Sequence, residues 1–384
     1  MKNLSKRSTK ILPQPMFEIM DSASINSKTI HLEIGDTSYF RNKSFNSLLK
    51  KNIIPKNMSY APSSGDIKLR GLMSKIYSKR INHNFTEENV VVAPCNGLIT
   101  QFLLSTTNIG DELLIPDPGF PTYSLAARAL DLKAHYYKLH QKNNWQPSLK
   151  KIEKIIKKNK KIKVLIICTP SNPVGTIISG VEFKKIVLLA AQNNILCLVD
   201  DTYRQIKFHH KDEYLKFHKN IFYIYSMSKD AGIPSARLGF GIGNKYIIKK
   251  IIHQNSLINS CHPLFIQKTA FEYLVNYQGS YIKDLKSSIL KRISVVEKFF
   301  RDSQIIEYTI PDGGIFFFIK IKNIKISSID LAQDILKKTN VCVCPGSVFG
   351  PSGENCLRLN LAVSIRDLQK ACRKINNYLI KYYS

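Results

Sequence analysis

Between residues 90 and 245 short apolar runs alternate with helical stretches, and this alternation constrains the fold more than any other feature. "NVVVAP" leads through Gly97 into the helix-like "LITQFLLSTTNIG", expected to end near Gly110. Then follow "DELLIPDPGF", "LKAHYYKL", a lysine-rich amphipathic stretch, "KVLIICTPSNP", the helical "GVEFKKIVLLAAQNN", "ILCLVDD", "IFYIYSMS" and "RLGFGIG". Continuous apolar strands separated by helices imply a mainly parallel sheet covered on both faces. The expected fold class is therefore α/β, with a three-layer large domain. In such sheets ligands bind beyond the carboxyl ends of the strands. Pro94–Gly97, Asn172, Asp200 and Ser226–Lys229 all fall just after strand runs.

After a long helical stretch from about 245 to 303 the pattern changes. "YTIPDGGIFFFIKIK", a helix near 327–338, "NVCVCPGSVFG", "NCLRLNLAV" and a closing helix read as a smaller α+β domain. The expected division is 45–285 for the large domain and 286–384 for the small one, with segment 1–44 packing on the latter.

Composition is that of an ordinary globular chain, with 44% apolar and 22% charged residues. No apolar run approaches the roughly 20 residues of a membrane span. The basic start "MKNLSKRSTKILPQPMFEIM" lacks the apolar core of a secretory leader. The eight cysteines show neither CxxC nor metal-site spacing, and several sit in strand-like runs, which points to a reducing, cytoplasmic setting. The formal charge of +29 is spread along the chain with abundant Ile and Asn, so it reads as composition bias rather than a nucleic-acid footprint. Its densest run, "SLKKIEKIIKKNKKIK", places Leu149, Ile152, Ile155 and Ile156 at helical spacing, an amphipathic helix with a solvated basic face.

The chemistry centres on "SMSKDAGIPSARLGF", residues 226–240. A neutral lysine forms imines with aldehydes, and pyridoxal phosphate is the commonest aldehyde cofactor held this way. That cofactor requires a carboxylate at its pyridine nitrogen, a donor to its phenolic oxygen, an aromatic stack and a phosphate cup. Asp200, at the end of a buried strand, fits the first requirement, although alone it reads more safely as a turn cap. Asn172 suits the second, or is a plain Asn-Pro turn. Phe120, in the Pro-fixed "PDPGFPTY", offers a rigid ring, or simply core packing. Gly97 opens a helix, an anion-binding feature. Ser226 and Ser228 can donate hydroxyls and Arg237 can grip two phosphate oxygens, while Lys229 between them forms the Schiff base.

The set N-P-x-G, D-x-x-Y, S-x-S-K and R-L-G, in this order and spacing, resembles the class I/II aminotransferases of pyridoxal-phosphate fold type I. The resemblance runs from "IHLEIGD" to "LRLNLA", nearly the whole chain. It implies that Lys229 also carries the proton between the substrate Cα and the cofactor, and that Tyr203 shares the phenolic oxygen with Asn172. Tyr60 matches a tyrosine that reaches a phosphate in the neighbouring subunit, which implies a homodimer. Arg358 matches the arginine that binds the substrate α-carboxylate, helped by Gly35 and Asn172. Three departures stand out. Leu98 and Ile99 replace small or polar residues in the phosphate cup, leaving backbone N–H groups and the Thr100 hydroxyl. Asp230 follows the lysine directly, either raising the imine's pKa or facing away. Asp201 stands where Glu is frequent.

The expected function is an aminotransferase that moves the amino group of an L-amino acid to a 2-oxo acid, without metal or membrane. The first alternative is another reaction at the amino acid Cα, such as decarboxylation, β-elimination or oxidation, because the cofactor carries the chemistry. The outside alternative is a non-catalytic regulator or nucleic-acid-binding protein on the same fold.

Overall fold

The computed structural model describes residues 5, 8–11, 13, 15–24, 26–209 and 218–383. The first residues, on which the expectation of no secretory leader rests, lie partly outside the described ones. The strands, in chain order, are β1 (Ile30–His31), β2 (Val90–Val92), β3 (Glu112–Asp117), β4 (Lys133–Lys138), β5 (Ile162–Cys168), β6 (Leu196–Asp200) and β7 (Ile221–Ser226). They continue with β8 (Gly239–Ile242), β9 (Ile306–Tyr308), β10 (Phe316–Ile321), β11 (Val341–Cys342), β12 (Cys344–Pro345) and β13 (Cys356–Asn360).

Seven strands form one sheet in the order β2-β8-β7-β6-β5-β3-β4. Only β8 runs antiparallel to its neighbours. The continuous apolar runs follow from burial on both faces, because alternate side chains enter separate cores. Leu165, Ile167, Val199, Tyr223 and Tyr225 pack on one face. Val164, Ile166, Leu198, Phe222 and Ile224 pack on the other. Helices Ile67–Ile81, Leu149–Lys158, Gly180–Gln192 and Leu264–Asn276 cover the first face through residues such as Tyr77, Ile152, Ile186 and Tyr273. Helices Cys95–Thr106, Thr122–Ala129 and Lys245–Ile258 cover the second through Phe102, Tyr123 and Ile251. The lysine-rich helix buries Ile152 and Ile156 and is capped by Ser148, as its spacing predicts.

One expectation of extent is corrected. The helix predicted to open at Gly97 and run to Gly110 spans Cys95–Thr106, because Pro94 takes the cap without any side-chain signal. The long helical stretch is three helices, Lys245–Ile258, Leu264–Asn276 and Gln278–Phe300, interrupted at Pro263 and Tyr277.

The C-terminal part forms an antiparallel sheet in the order β12-β13-β10-β9, and β1 pairs in parallel with β11. Ile19, Ala23 and Leu32 share one core with Phe317, Leu357 and Leu379, so the start of the chain packs against its end. Among the described residues no helix is long and apolar enough to cross a membrane. All eight cysteines are free.

Candidate active site

The loops after β2, β3, β5, β6 and β7 meet β10 and β13 around a cavity of about 390 Å³. This is the strand-end crevice expected of such a sheet. Gly35, Ile99, Phe120, Asn172, Asp200, Tyr203, Ser226, Ser228, Lys229, Arg237 and Arg358 all reach it. Residues more than 300 positions apart thus converge on one space.

Lys229 projects into the cavity from the four-residue helix Met227–Asp230 and donates its Nζ to the Gly35 carbonyl. Burial, then the nearby Arg358 guanidinium, lowers its pKa to about 8, so the neutral amine is accessible near physiological pH. Gly35 has no room for a side chain, since an added Cβ would lie 2.6 Å from Phe316 Cζ and 3.0 Å from its Cε1.

Asp200 ends β6, only 5% exposed. Its Oδ2 accepts from the Tyr123 hydroxyl at 2.6 Å and its Oδ1 from the Thr202 N–H at 3.1 Å. Burial raises its pKa, while the hydrogen bonds from Tyr123 and Thr202 oppose the shift. Among the described residues no cation is paired with it, so a ligand carrying N–H⁺ suits this carboxylate. Phe120 sits edge-on to Tyr123, with ring centres 5.7 Å apart. Tyr203 is buried against Phe316, ring centres 5.8 Å apart.

Arg358 lies in β13, 3% exposed. Its Nη1 donates to Asn172 Oδ1 at 3.1 Å and its Nη2 to the Glu33 carbonyl at 2.5 Å. The guanidinium lies 3.9 Å from the Phe316 ring centre, and Nε has no hydrogen-bond partner. An orphaned donor on a buried cation facing a cavity is suited to a carboxylate.

For the phosphate end, Ser226, Ser228 and Arg237 line the cavity together. Arg237 adopts a left-handed backbone conformation (φ 51°), is exposed, and donates Nη1 to the Pro234 carbonyl. The helix after β2 bonds its Leu98 N–H to Pro94 O, so the N–H groups of Cys95, Asn96 and Gly97 are those it does not use internally. Two expectations for this cup are corrected. Leu98 does not line the cavity, because it is buried in the core with its N–H inside the helix. The Thr100 hydroxyl bonds back to the Asn96 carbonyl, and Thr100 does not line the cavity either. Ile99 touches the cavity although it is 1% exposed. Gly97 lies one residue beyond the lining, and Tyr60 is 89% exposed outside it.

Asp230 faces away from the cavity, its Oδ2 accepting from the Tyr225 hydroxyl at 2.5 Å. Asp201, given no role above, pairs with Arg80 in the core. Residues that sequence reasoning missed include Tyr123, Asn96, Phe316 and the pair Met16 and Phe17, brought by the helix Pro15–Ser24 to the cavity rim. Tyr123 carried a signal, being one helical turn after Phe120; Met16 and Phe17 carried none.

This donor set fits pyridoxal phosphate: an amine with lowered pKa, an unpaired buried carboxylate, an aromatic ring, and separate cationic ends for a phosphate and a carboxylate. Comparison with known proteins agrees. Residues 27–375 match the family profile "Aminotransferase class I and II". The chain is 27% identical to an aspartate aminotransferase of Pyrococcus horikoshii over 94% of this chain and 93% of that one. It is also 27% identical to an LL-diaminopimelate aminotransferase of Dehalococcoides mccartyi over 98% of each. Among solved structures, an alanine aminotransferase from Pyrococcus furiosus superposes with a TM-score of 0.91 at 21% identity, covering 99% of this chain and 100% of that one.

Proposed function

The chain belongs to the class I and II aminotransferases, and on that premise we propose which of its residues carry out the transfer. It is an enzyme that moves an amino group from an amino acid to a 2-oxo acid, in a family that uses pyridoxal phosphate. The observation supporting the residue roles is that Lys229 Nζ, the Asp200 carboxylate and the Arg358 guanidinium open into one cavity.

Pyridoxal phosphate, when bound, supplies an electron sink for the pair left at the substrate Cα. Lys229 would hold the cofactor through its Nζ and, as the neutral amine, would take up and give back the substrate Cα proton at that atom. Asp200, fixed by Tyr123 and Thr202, would hold the cofactor's pyridine nitrogen and keep it protonated. Asn172 and Tyr203 would hold the phenolic oxygen of the cofactor, and Phe120 would pack against its ring. Ser226, Ser228, Arg237 and the N–H groups of Asn96 and Gly97 take the phosphate. Arg358, with Asn172 and Gly35, orients the substrate α-carboxylate.

The assembly is a homodimer in which Tyr60 reaches the partner's phosphate site, consistent with its exposure here. The large domain spans 45–285 and the small domain 286–384. Of the described N-terminal residues, helix Pro15–Ser24 and strand Ile30–His31 pack on the small domain, whereas Lys10 pairs with Asp131 of the large one, which corrects the expectation for 1–44. The enzyme works in the cytoplasm.

The test is the visible absorption spectrum of the purified protein with pyridoxal phosphate while single L-amino acids are added. Conversion of the lysine-bound cofactor to its aminated form, reversed by a 2-oxo acid, is expected and names a substrate. Attachment to Lys229 with irreversible loss of carbon dioxide or a β-substituent from the amino acid overturns the reading in favour of a lyase.

A further inference from the structure

β1 and β11 run in parallel with His31 directly opposite Cys342. Glu33 lies in the bend that follows β1, two residues past His31, and its carboxylate comes back beside this pair. Register and bend together gather an imidazole nitrogen, a carboxylate oxygen and a thiol sulfur, all within 4.8 Å of one another. We propose that His31, Glu33 and Cys342 form a binding site for a divalent cation of the zinc type.

The carboxylate gives the second reason. Glu33 is 2% exposed, and its Oε1 meets His31 Nδ1 at 2.9 Å. Its Oε2 has no hydrogen-bond partner, although buried polar atoms are generally satisfied. His31 accounts for Oε1, while the Cys342 thiol, held protonated by burial and by its weak hydrogen bond to the Glu33 carboxylate, gives Oε2 no well-aligned donor. A shared cation accounts for Oε2, and for a thiol placed beside a buried carboxylate.

Charge and softness select the ion. A thiolate and a carboxylate supply two negative charges and a neutral imidazole supplies none, which balances a divalent cation at a largely dry site. A sulfur–nitrogen–oxygen set suits zinc and disfavours magnesium or calcium, which take oxygen ligands. Zinc bonds of about 2.0–2.3 Å place neighbouring donors roughly 3.5 Å apart. The present spacing, within 4.8 Å, has to close by roughly 1 Å to reach that arrangement. The His31 side chain is 43% exposed, leaving an entry path and a fourth position for water.

Binding forms a metal–sulfur bond and releases the Cys342 proton to solvent, with no change of oxidation state. The ion fastens the Ile30–His31 strand to the C-terminal part of the molecule. The Glu33 carbonyl also accepts from Arg358, so the clamp adjoins the carboxylate-binding arginine without sharing a side chain with it.

The test uses holoenzyme stripped with a chelator and titrated with zinc chloride against a chromophoric chelator. One zinc per chain is expected in the wild type. His31→Ala and Cys342→Ser each weaken binding by more than about 100-fold, since loss of an outer partner alone costs about 10–100-fold. His31→Ala alters a partly exposed ring and is the variant that keeps the fold. Calorimetry in two buffers of different ionisation enthalpy reads about one proton released in the wild type and markedly less in Cys342→Ser. The proposal is overturned by equal zinc affinity in wild type and variants, by absence of zinc uptake, or by binding without proton release.

Discussion

Tyr123 donates its hydroxyl to Asp200 Oδ2 at 2.6 Å, linking a helix on one face of the large sheet to the carboxylate at the end of β6. The bond holds negative charge on Asp200 against burial, which pushes its pKa up. Tyr123→Phe removes that support, and a hydrogen bond to a charged group contributes about 1.5–3 kcal/mol. The expected loss in kcat/KM is therefore about 10–100-fold, with Lys229 still carrying the cofactor. Asp200→Asn removes the charge itself and costs more. Rapid-mixing absorbance of the first half-reaction measures both, and a Tyr123→Phe rate within twofold of wild type defeats this account.

The lowered pKa of Lys229 has a direct kinetic signature. Neutral amine is the nucleophile, so attachment of pyridoxal phosphate to the apoenzyme speeds up as pH rises through about 8 and levels off above it. Burial is the main cause and the Arg358 charge the next. Arg358→Gln deletes a positive neighbour, so the midpoint moves to higher pH. Lys229→Ala leaves no covalent adduct after borohydride reduction. A midpoint that stays fixed in Arg358→Gln contradicts the electrostatic part of this reasoning.

Arg358 is held by Asn172 and the Glu33 carbonyl, which leaves its Nε–H and a further Nη hydrogen for a two-point contact with the substrate carboxylate. Truncating one partner of a buried charged pair costs about 2–5 kcal/mol. Arg358→Ala is expected to lower kcat/KM by about 10²-fold or more, equally for the amino acid and the oxo acid, because both carry the same carboxylate. Arg358→Lys restores little, as an ammonium cannot make the planar two-point contact. Steady-state kinetics in both directions checks this, and an unequal loss points to a role beyond carboxylate binding.

The strand-end residues were legible because their signals are local. Asn172, Asp200 and Lys229 each follow an apolar run, and the sheet rule places such positions around one crevice. Contacts made across the fold left no local trace. Tyr123 reaches Asp200 from 77 residues away, and Arg80 reaches Asp201 from 121. The helix start at Cys95 was hidden because Pro94 caps it without a side-chain bond. The direction of Asp230 depends on helix geometry: successive side chains rotate by about 100°. One faces the cavity while the next enters the core.

That buried Asp230 has a stability consequence. Its Oδ2 accepts from Tyr225, whose hydroxyl oxygen accepts from Gln278 at 3.1 Å, while its Oδ1 has no partner. Burial raises its pKa from 3.8 to about 7. Between these values the folded chain binds more protons than the unfolded one, so this group's contribution to stability falls as pH rises. Asp230→Asn removes that slope. Its thermal midpoint, relative to wild-type apoenzyme, is expected to climb from about pH 4 to about pH 7 and then level off. A difference constant across that window contradicts the assignment.

Beneath the site, Arg80 and Asp201 form a two-point ion pair, with Nη2 to Oδ1 at 3.0 Å and Nη1 bonded to Oδ2. The side chains are 9% and 1% exposed, and Tyr77 donates to Asp201 Oδ2 at 2.8 Å. Removing one partner of such a pair strands the other charge in the core, at a cost of about 3–5 kcal/mol. Arg80→Met is thus strongly destabilising, although it matches the aliphatic length of the arginine. Adding Asp201→Leu removes the stranded carboxylate, so the double variant is expected to lose less than the sum of the two single losses. Urea unfolding of the four apoenzymes measures the coupling. Strict additivity shows that the two charges act independently, with Arg204, stacked 5.2 Å from the Tyr77 ring centre, serving as the counter-charge.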